Sequence, residues 1–260
     1  MVPEMPVEGK WHSILPRPAR RNPHSLESTS DVNPSHEDRE SASAPPRACG
    51  VLVTAGPTHE PVDAVRFLSN RSSGRTGIAI AMEAARRGHP TTLLLGPVSE
   101  SVPQSPSLLV ERFKTTAQLQ SLMATHWPRH ALLVMAGAVA DFIPRRLSSG
   151  KASRHDGPRQ LTLDPAPDLL QSAAASRRPG QHLIGFALEP AKVCLKSARA
   201  KLERKGIDAI VANPLETMDA TTITATLLLA DGGSVEPPPD VPKTQFATWL
   251  WDELDRRFPV

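Results

Sequence analysis

The part of the sequence that most constrains the fold is residues 50–77, where an apolar run leads through a glycine-bearing polar loop into a helical pattern. The run at 51–53 predicts a strand, and apolar residues recur at helical spacing from Ile78 onward. A strand, a loop of small residues and a helix start place unpaired backbone N–H groups where an anion can bind. The loop also carries cations, among them Arg71 and Arg75. We therefore expect a phosphate-bearing ligand here.

Two common nucleotide-binding motifs are absent from this loop. The glycines at positions 56, 74 and 77 do not have the GxGxxG spacing of the dinucleotide fingerprint. The P-loop pattern also fails, because Arg75 stands where that motif has lysine and no glycine lies five residues before Gly74. A P-loop NTPase is therefore disfavoured. So is an NAD-dependent oxidoreductase, which would also need an acidic residue after the second strand.

Strand-like and helix-like patterns alternate through the middle of the chain. Strands are predicted at 91–95, 107–113 and 131–135, and Thr115 or Thr116 is expected to cap a helix between the last two. The run at 131–135 is continuously apolar, as is typical of a strand buried on both faces. The alternation predicts an α/β, Rossmann-like fold, with a mostly parallel sheet flanked by helices.

The second half of the chain continues the alternation and then changes. Further strands are predicted at 160–163, 182–188 and 208–212. One helix is expected to begin near Pro167, and the next to bury a stripe formed by Ala191, Leu195, Ala198 and Leu202. Residues 222–229 and 234–236 predict a terminal β-hairpin without evident chemistry. A C-terminal helix at 244–257 is expected to bury Phe246, Trp249, Leu250 and Leu254.

Small residues follow the predicted strand at 131–135, where ligands of open α/β sheets bind. Gly137 and Ala138 would let a nucleotide approach the backbone closely, and Asp141 could accept hydrogen bonds from a base or ribose. Asp141 could equally cap a helix or form a turn, and its position alone does not decide between these roles. Phe186, at the end of a later strand, could pack against a base or belong to the core.

The first 48 residues differ in composition from the rest, with eight prolines, many Ser and Arg residues and several acids. Such a segment cannot bury enough apolar surface to offset its ordering entropy. We therefore expect a disordered tail at 1–48 and one domain at 49–260. The tail has no apolar stretch of signal-peptide length and is too acidic for a transit peptide. No apolar run of membrane length occurs in the sequence, so we expect no membrane partner and a cytoplasmic location.

Charge and cysteine content limit the ligand classes. A net charge of +3 suits anionic ligands but is too small to require nucleic acid. Tyrosine is absent, which leaves little material for a base-stacking RNA surface. The two cysteines, Cys49 and Cys194, have no CxxC spacing, so neither a disulfide framework nor a zinc site is indicated.

Five blocks of sequence resemble, in order, the phosphopantothenate–cysteine ligase family. They are TAGPTHEPVDAVRFLSNRSSGRTG at 54–77, MAGAVADF at 135–142, PAPDL at 165–169, GFALE at 185–189 and DAIVAN at 208–213. Five ordered blocks are far more specific than one glycine motif, and the resemblance spans about residues 50–258. Bacterial members commonly carry this domain behind a flavin-dependent decarboxylase. Nothing of that size precedes it here, so the chain resembles a stand-alone ligase.

The resemblance implies a ligase that joins 4′-phosphopantothenate and L-cysteine in coenzyme A biosynthesis. A nucleoside triphosphate would activate the carboxylate as an acyl-nucleotidyl anhydride, and the cysteine amine would then displace the nucleotide. Bacterial members use mostly CTP and eukaryotic members ATP; the segments at 151–154 and 167–169 look bacterial, so we expect CTP. Mg2+ is expected to help neutralise the phosphates. The family also implies a homodimer and a separate partner for the decarboxylase step.

The same resemblance assigns the site residues. Asn70, Lys151 and Arg66 are expected to act in catalysis, with Asn70 serving amide formation and Lys151 the activation step. The residues expected to bind the nucleotide are Gly56, Ser72, Ser73, Gly74, Ala136, Gly137, Asp141, Lys151, Ala166, Pro167, Asp168, Leu169, Phe186, Lys201 and Lys205. No residue of the chain is assigned as a direct metal ligand.

The sequence departs from the family pattern at two places. Residues 145–160 look like a basic flap, in which the family has a KxKK motif, whereas this chain reads Lys151-Ala-Ser-Arg154. Ala166 replaces an asparagine of the family pattern, which removes one polar contact. These departures favour an alternative, a non-catalytic nucleotide-binding subunit of the same fold.

Overall fold

The computed structural model describes residues 50–145, 150, 151, 153, 155 and 157–258. The predicted tail at 1–48 lies outside these residues, as do Ala152 and Arg154 of the predicted flap. The strands are β1 (Val51–Ala55), β2 (His59–Pro61), β3 (Phe67–Ser69), β4 (Thr91–Leu95), β5 (Leu108–Arg112), β6 (Leu132–Met135), β7 (Phe142–Pro144), β8 (Leu163–Pro165), β9 (His182–Glu189), β10 (Ala209–Pro214), β11 (Thr222–Ile223), β12 (Thr226–Leu229), β13 (Ser234–Val235) and β14 (Val241–Pro242). The helices are α1 (Arg75–Arg86), α2 (Thr116–His126), α3 (Leu169–Ala175), α4 (Cys194–Lys205) and α5 (Lys243–Arg257).

Eight strands form one sheet in the order β5-β4-β1-β6-β9-β10-β12-β13. The first six of these pair in parallel, and β12 and β13 continue the sheet antiparallel. The chain moves outward from β1 to β4 and β5 on one side, and then returns to β6 on the other. The strand order therefore reverses between β1 and β6, which is where ligands of such sheets bind. This confirms the predicted α/β fold with a mostly parallel sheet.

Helices cover both faces of the sheet, because alternate residues of a buried strand point to opposite sides. Val51 and Val53 belong to a core cluster with α1 and α5, in which Trp251 and Phe246 are fully buried. Leu52 belongs to a second cluster with α2, α3 and α4. The Trp251 indole also donates to the Ile80 carbonyl oxygen at 2.9 Å, which ties α5 to α1.

Several local predictions are confirmed by the structure. The strand at 91–95 has the predicted bounds, and Thr115 caps α2 by accepting a hydrogen bond from the Gln118 N–H at 3.3 Å. The hairpin between β12 and β13 forms as expected. Within the described residues, no helix is both long and apolar enough to cross a membrane.

Other local predictions are wrong, because contacts with residues far away in the sequence determine which side chains are buried and which strands pair. Leu195 was predicted to be buried but is 50% exposed. The neighbouring Cys194 occupies the buried position on α4 instead. Trp251 rather than Trp249 is the fully buried tryptophan of α5. The strand predicted at 222–229 divides into β11 and β12, because β11 pairs with β14 outside the main sheet.

The strand predicted at 160–163 is displaced toward the C-terminus. The observed strand is β8 (Leu163–Pro165), which pairs antiparallel with β7. Ala191 is exposed and precedes α4, so it does not belong to the buried stripe.

Gly77 fixes the distance between α1 and β1. A Cβ atom at this position would lie 2.6 Å from the Ala55 Cβ and 2.9 Å from the Thr54 carbonyl oxygen. Glycine-to-alanine substitution inside a helix normally stabilises by about 0.5–1 kcal/mol. At Gly77 we expect the opposite sign, because overpacking of this kind costs about 1–3 kcal/mol.

The change to make is Gly77→Ala, and the measurement is the free energy of unfolding by urea. Gly150→Ala is the control, since no atom of the described residues lies within 4 Å of a Cβ built there. A Gly77→Ala protein as stable as the wild type would show that α1 does not sit this close to β1.

Candidate functional site

The loops that follow β1 and β6 are joined by hydrogen bonds at the point where the strand order reverses. The Gly137 N–H donates to Thr54 Oγ1 at 3.0 Å, and the Ala138 N–H donates to the Gly56 carbonyl oxygen at 2.9 Å. Thr58 Oγ1 accepts from the Ala140 N–H at 3.0 Å. Thr54 and Thr58 are fully buried, so both hydroxyls act inside the protein rather than in water. These contacts form a rigid floor between the two loops.

Two cavities open above this floor and share one wall. The first has a volume of about 520 Å³ and the second about 320 Å³, and the shared wall consists of Gly137, Val139 and Phe186. Phe186, on the interior strand β9, is half-buried and packs against the core cluster that contains α1 and α5. The cavities are thus contiguous, and groups bound in each would meet at the shared wall.

Most of the predicted site residues line these cavities. Those in the first cavity are Asn70, Ser72, Ser73, Gly74, Ala136, Gly137 and Phe186. Those in the second are Gly137, Asp141, Ala166, Pro167, Asp168, Leu169, Phe186, Lys201 and Lys205. The sequence blocks that carry the family resemblance therefore converge on one crevice, although the first ends at residue 77 and the last begins at residue 208.

Three predicted residues do not line either cavity. Gly56 is part of the floor through its carbonyl oxygen, and a Cβ atom there would approach Val98 Cγ1 to 2.9 Å. Arg66 is half-exposed and pairs with Asp63 at 2.6 Å. Lys151 is exposed on the segment between β7 and β8. The catalytic roles of Arg66 and Lys151 stay predictions.

Asn70 is hydrogen-bonded to the shared wall. Its Nδ2 donates to the Val139 carbonyl oxygen at 2.9 Å. Within the described part of the chain, its Oδ1 accepts no hydrogen bond. One N–H and the oxygen of this amide are therefore available to a ligand.

The lysines of the second cavity are paired with carboxylates. Lys201 Nζ lies 2.5 Å from Glu189 Oε1, and Lys205 Nζ lies 2.8 Å from Asp168. The hydrogen bond from Lys201 lowers the pKa of the Glu189 carboxyl, against the opposing effect of burial. Burial opposes ionisation of Asp168 as well, but the hydrogen bonds from Lys205 and the Gln171 N–H outweigh it and lower the Asp168 pKa. An anionic ligand here would compete with protein carboxylates for both ammonium groups.

Sequence reasoning missed several lining residues. Arg204 lines the second cavity, and its spacing of three residues from Lys201 on one helix could have signalled this. Thr217, Asp219 and Lys243 line the first cavity. They come from the part of the chain to which no chemistry was assigned, and only the folded β11–β14 pair and α5 bring them here.

The described residues hold no cluster of three or more His, Cys, Asp or Glu side chains able to bind a metal ion. Asp141, at the second cavity, is a carboxylate that could share a magnesium ion with nucleotide phosphates. Such a shared arrangement is the usual one for magnesium, so the residues fit an ion that arrives with the nucleotide.

The two cavities, the floor and the paired lysines all lie at the switch point of the parallel sheet, where ligands of such sheets bind. Residues 47–257 match the family described as DNA/pantothenate metabolism flavoprotein C-terminal domain, and the chain belongs to that family. This match confirms the family resemblance that the sequence blocks predicted.

Curated relatives and a solved structure agree with this assignment. The chain is 40% identical over 172 residues to the Coenzyme A biosynthesis bifunctional protein CoaBC of Mycobacterium bovis, covering 63% of this chain and 41% of that protein. It is 39% identical over 166 residues to a protein of an unknown prokaryotic organism named Cysteine/Cysteine sulfinic acid decarboxylase, covering 64% of this chain and 46% of that protein. The matched region thus spans less than half the length of these relatives.

The crystal structure of the C-terminal domain of a CoaBC protein superposes with a TM-score of 0.67 at 27% identity. The match covers 79% of this chain and 93% of that one. The described fold is therefore the fold of that domain.

The Asp168–Lys205 pair gives a prediction about stability and pH. Asp168 also caps α3 by accepting from the Gln171 N–H at 3.0 Å, and asparagine caps helices about as well as aspartate. Asp168→Asn therefore removes the charge while retaining the cap. Because the folded-state pKa of Asp168 is lowered, the stabilisation is present above its unfolded value of about 3.9 and is lost as pH falls through the folded pKa.

We expect Asp168→Asn to be about 0.5–1 kcal/mol less stable than the wild type at pH 7, since the carboxylate is partly exposed. Thermal unfolding from pH 7 to pH 3 should show the difference closing at the acid end. Glu203→Gln, at an exposed position of α4, controls for the change in net charge. A difference that persists unchanged at pH 3 would rule out the ion pair as its source.

Proposed function

We propose that this chain is a phosphopantothenate–cysteine ligase, which joins 4′-phosphopantothenate and L-cysteine for coenzyme A biosynthesis. The observation that carries the proposal is the pair of contiguous cavities with Asn70 held at their shared wall. Membership of the family and the names of the CoaBC relatives support it.

In this proposal the first cavity takes phosphopantothenate, and the nucleotide occupies the second and reaches Ser72, Ser73, Gly74 and Ala136 across the shared wall. A carboxylate oxygen attacks the α-phosphorus of the nucleotide, a P–O bond breaks, and pyrophosphate leaves. The amine of cysteine then attacks the acyl carbon of the anhydride, and the nucleoside monophosphate leaves with the bonding electrons while the amine loses a proton. Neither step needs an enzyme nucleophile, and both build negative charge that cations and fixed donors stabilise.

Asn70 is suited to the second step. Its contact with the Val139 carbonyl oxygen fixes the plane of the amide before substrate binds. The remaining N–H can donate to the developing oxyanion, and Oδ1 can orient the amine of cysteine. An amide cannot serve as a base at neutral pH, so its role is positioning and charge stabilisation.

We further propose CTP as the nucleotide, with magnesium bound to its phosphates. The segment at 167–169, which lines the second cavity, resembles the bacterial arrangement, and this supports CTP over ATP. The homodimer and the separate decarboxylase partner remain proposals based on the family resemblance.

The direct test supplies the purified chain with phosphopantothenate, cysteine, Mg2+ and either CTP or ATP. Formation of phosphopantothenoylcysteine is measured by mass spectrometry, together with pyrophosphate release. We expect product and pyrophosphate in equal amounts and faster turnover with CTP. Nucleotide binding without pyrophosphate would instead support the non-catalytic alternative, which Ala166 and the altered lysine motif favour. Release of carbon dioxide from cysteine would support the decarboxylase activity named for one relative.

Asn70→Asp should separate the two steps. The substitution keeps the shape of the side chain but removes the N–H donors and adds a negative charge beside the oxyanion. We expect pyrophosphate release in a single turnover to be retained, while amide formation falls by about 10²–10³-fold. Gln104→Glu, an amide-to-acid change at an exposed loop position, should leave both steps unchanged. Product formation at the wild-type rate by Asn70→Asp would exclude this role.

Lys151→Gln should affect the first step. The substitution removes a positive charge that would lie beside the triphosphate. Negative charge builds on the leaving pyrophosphate in the transition state, so we expect pyrophosphate release to slow by about 10²-fold. Lys192→Gln, at another exposed position, is the matched control. Normal pyrophosphate release by Lys151→Gln would remove this lysine from the activation step.

A further inference from the structure

Glu60 is a buried carboxylate that the proposed reaction does not use. It lies on β2 with an exposed fraction of 2%, and it forms no ion pair with any cation of the described residues. Its Oε1 accepts from the Thr116 N–H at 2.8 Å and from the Thr116 hydroxyl at 2.7 Å. Burying a carboxylate costs free energy unless hydrogen bonds or opposite charges offset it. Packing alone therefore does not account for a glutamate at this position.

The start of α2 explains only part of this arrangement. Thr116 is the first residue of α2, so its N–H has no partner within the helix, and the positive end of the helix dipole favours a carboxylate there. However, α2 already has a side-chain cap, because Thr115 accepts from the Gln118 N–H at 3.3 Å. A further cap would not need a buried acid that also takes the Thr116 hydroxyl.

The Thr116 hydroxyl connects Glu60 to the floor of the site. Thr116 Oγ1 lies 3.4 Å from Thr58 Oγ1, and this is the longest step of the connection. Thr58 Oγ1 in turn accepts from the Ala140 N–H at 3.0 Å. Thr116 and Thr58 are both fully buried, so water does not compete for either hydroxyl. A hydrogen-bond path therefore runs from Glu60 through Thr116 and Thr58 to Ala140, the neighbour of Asp141.

Glu60 sets the direction of each hydrogen bond along this path. The Thr116 hydroxyl proton points to Glu60, so Thr116 Oγ1 is left as an acceptor for Thr58. The Thr58 proton then points to Thr116, and the lone pairs of Thr58 Oγ1 remain for the Ala140 N–H. Hydrogen bonds that run in one direction polarise and strengthen each other.

The path acts on one cavity more than on the other. The main chain of Thr58 is held separately, since its N–H donates to the Ala138 carbonyl oxygen at 3.3 Å and its carbonyl oxygen accepts from Ser69 Oγ at 2.8 Å. Only the Thr58 hydroxyl depends on the path. Ala140 and Asp141 line the second cavity and not the first, so the orientation of this hydroxyl bears on the second cavity.

We propose that Glu60, Thr116 and Thr58 are positioning residues for the nucleotide, because they fix Ala140 and Asp141 in the wall of the second cavity before the nucleotide binds. This rests on the proposed function, in which the nucleotide occupies that cavity. None of the three positioning residues lines either cavity. A wall that is already ordered spares the nucleotide the entropic cost of ordering it, so the path contributes to nucleotide affinity rather than to the chemical step.

The first test compares Thr58→Val, which keeps the shape of the side chain but removes the hydroxyl, with Thr58→Ser, which restores the hydroxyl. Calorimetric titration with CTP and Mg2+ should give a Kd about three- to tenfold higher for Thr58→Val, the effect of one neutral hydrogen bond, and a Kd within about twofold of the wild type for Thr58→Ser. Kd for phosphopantothenate should change by less than about twofold in both variants.

Thr92→Val is the matched control. It removes another buried threonine hydroxyl, which lies 3.0 Å from His130 Nε2 and lines neither cavity, and it should leave both Kd values unchanged. Wild-type affinity for CTP in Thr58→Val would overturn the proposal. An equal loss of affinity for CTP and phosphopantothenate would also overturn it.

Glu60→Gln tests the far end of the path, since it keeps an acceptor oxygen but removes the charge that orders the protons. We expect Kd for CTP to rise by about two- to fivefold. The double variant with Thr58→Val should bind CTP no more weakly than Thr58→Val alone, because both changes act through one hydrogen bond. Additive effects, or unchanged affinity in Glu60→Gln, would remove Glu60 from this role. If Glu60→Gln does not fold, Thr116→Val breaks the same path and should meet the same expectations.

Exchange of the Ala140 amide hydrogen tests the path without any ligand. It should be slow in the wild type and about tenfold faster in Thr58→Val, while the Gly137 amide, which donates to Thr54, keeps its rate. Equal Ala140 rates in the two proteins would contradict the proposal. Failure of the ligase reaction would be seen separately, as absence of product from the wild type, and would leave the CTP titration and this exchange measurement intact as tests of the path.

Discussion

The site depends on the hydrogen bonds that join the loop after β1 to the loop after β6. Neighbouring parallel strands at a switch point send their chains in opposite directions, and the loops would otherwise diverge. Thr54 and Thr58 prevent this by accepting backbone N–H groups of the β6 loop at 3.0 Å each. Both hydroxyls are fully buried, where an unmade hydrogen bond is costly. The floor is therefore well determined, and Asn70 reaches Val139 across it.

Charge compensation differs between the two cavities. In the second, Lys201 and Lys205 form ion pairs with Glu189 and Asp168. In the first, Arg71 and Arg75 pair with Asp219 and Glu100, whereas Lys243 makes a long hydrogen bond to the Thr217 carbonyl oxygen and no ion pair with any of the described residues. Paired lysines stabilise the free protein and must be released by a strongly charged ligand, which suits a triphosphate.

Short sequence patterns correctly predicted the elements that depend mainly on residues close together in the sequence. The strand at 91–95 and the Thr115 cap follow from short patterns of apolar and capping residues, and both form as expected. The short pairs β2–β3 and β7–β8 were not predicted, because their residues are partly polar and are defined by a partner strand rather than by periodicity. Leu195 illustrates the same limit, since helical spacing does not say which of two adjacent residues faces the sheet.

For the site, the family resemblance located most of the lining residues, and elementary patterns located the crevice. Neither could find Lys243, because α5 reaches the first cavity only after β11 and β14 pair. A lysine beside a predicted helix start is electrostatically unfavourable, and this was a weak indication that Lys243 lies at a binding site. Nor could sequence show that Arg66 pairs with Asp63 outside both cavities.

The most direct test of the account is a crystal structure of the chain with phosphopantothenate and a non-hydrolysable CTP analogue. The account predicts the carboxylate at the wall formed by Gly137, Val139 and Phe186, within hydrogen-bonding distance of Asn70, and the nucleotide between Asp141 and Lys205. Ligands bound away from this crevice, for example in the groove between α1 and α5, would contradict it.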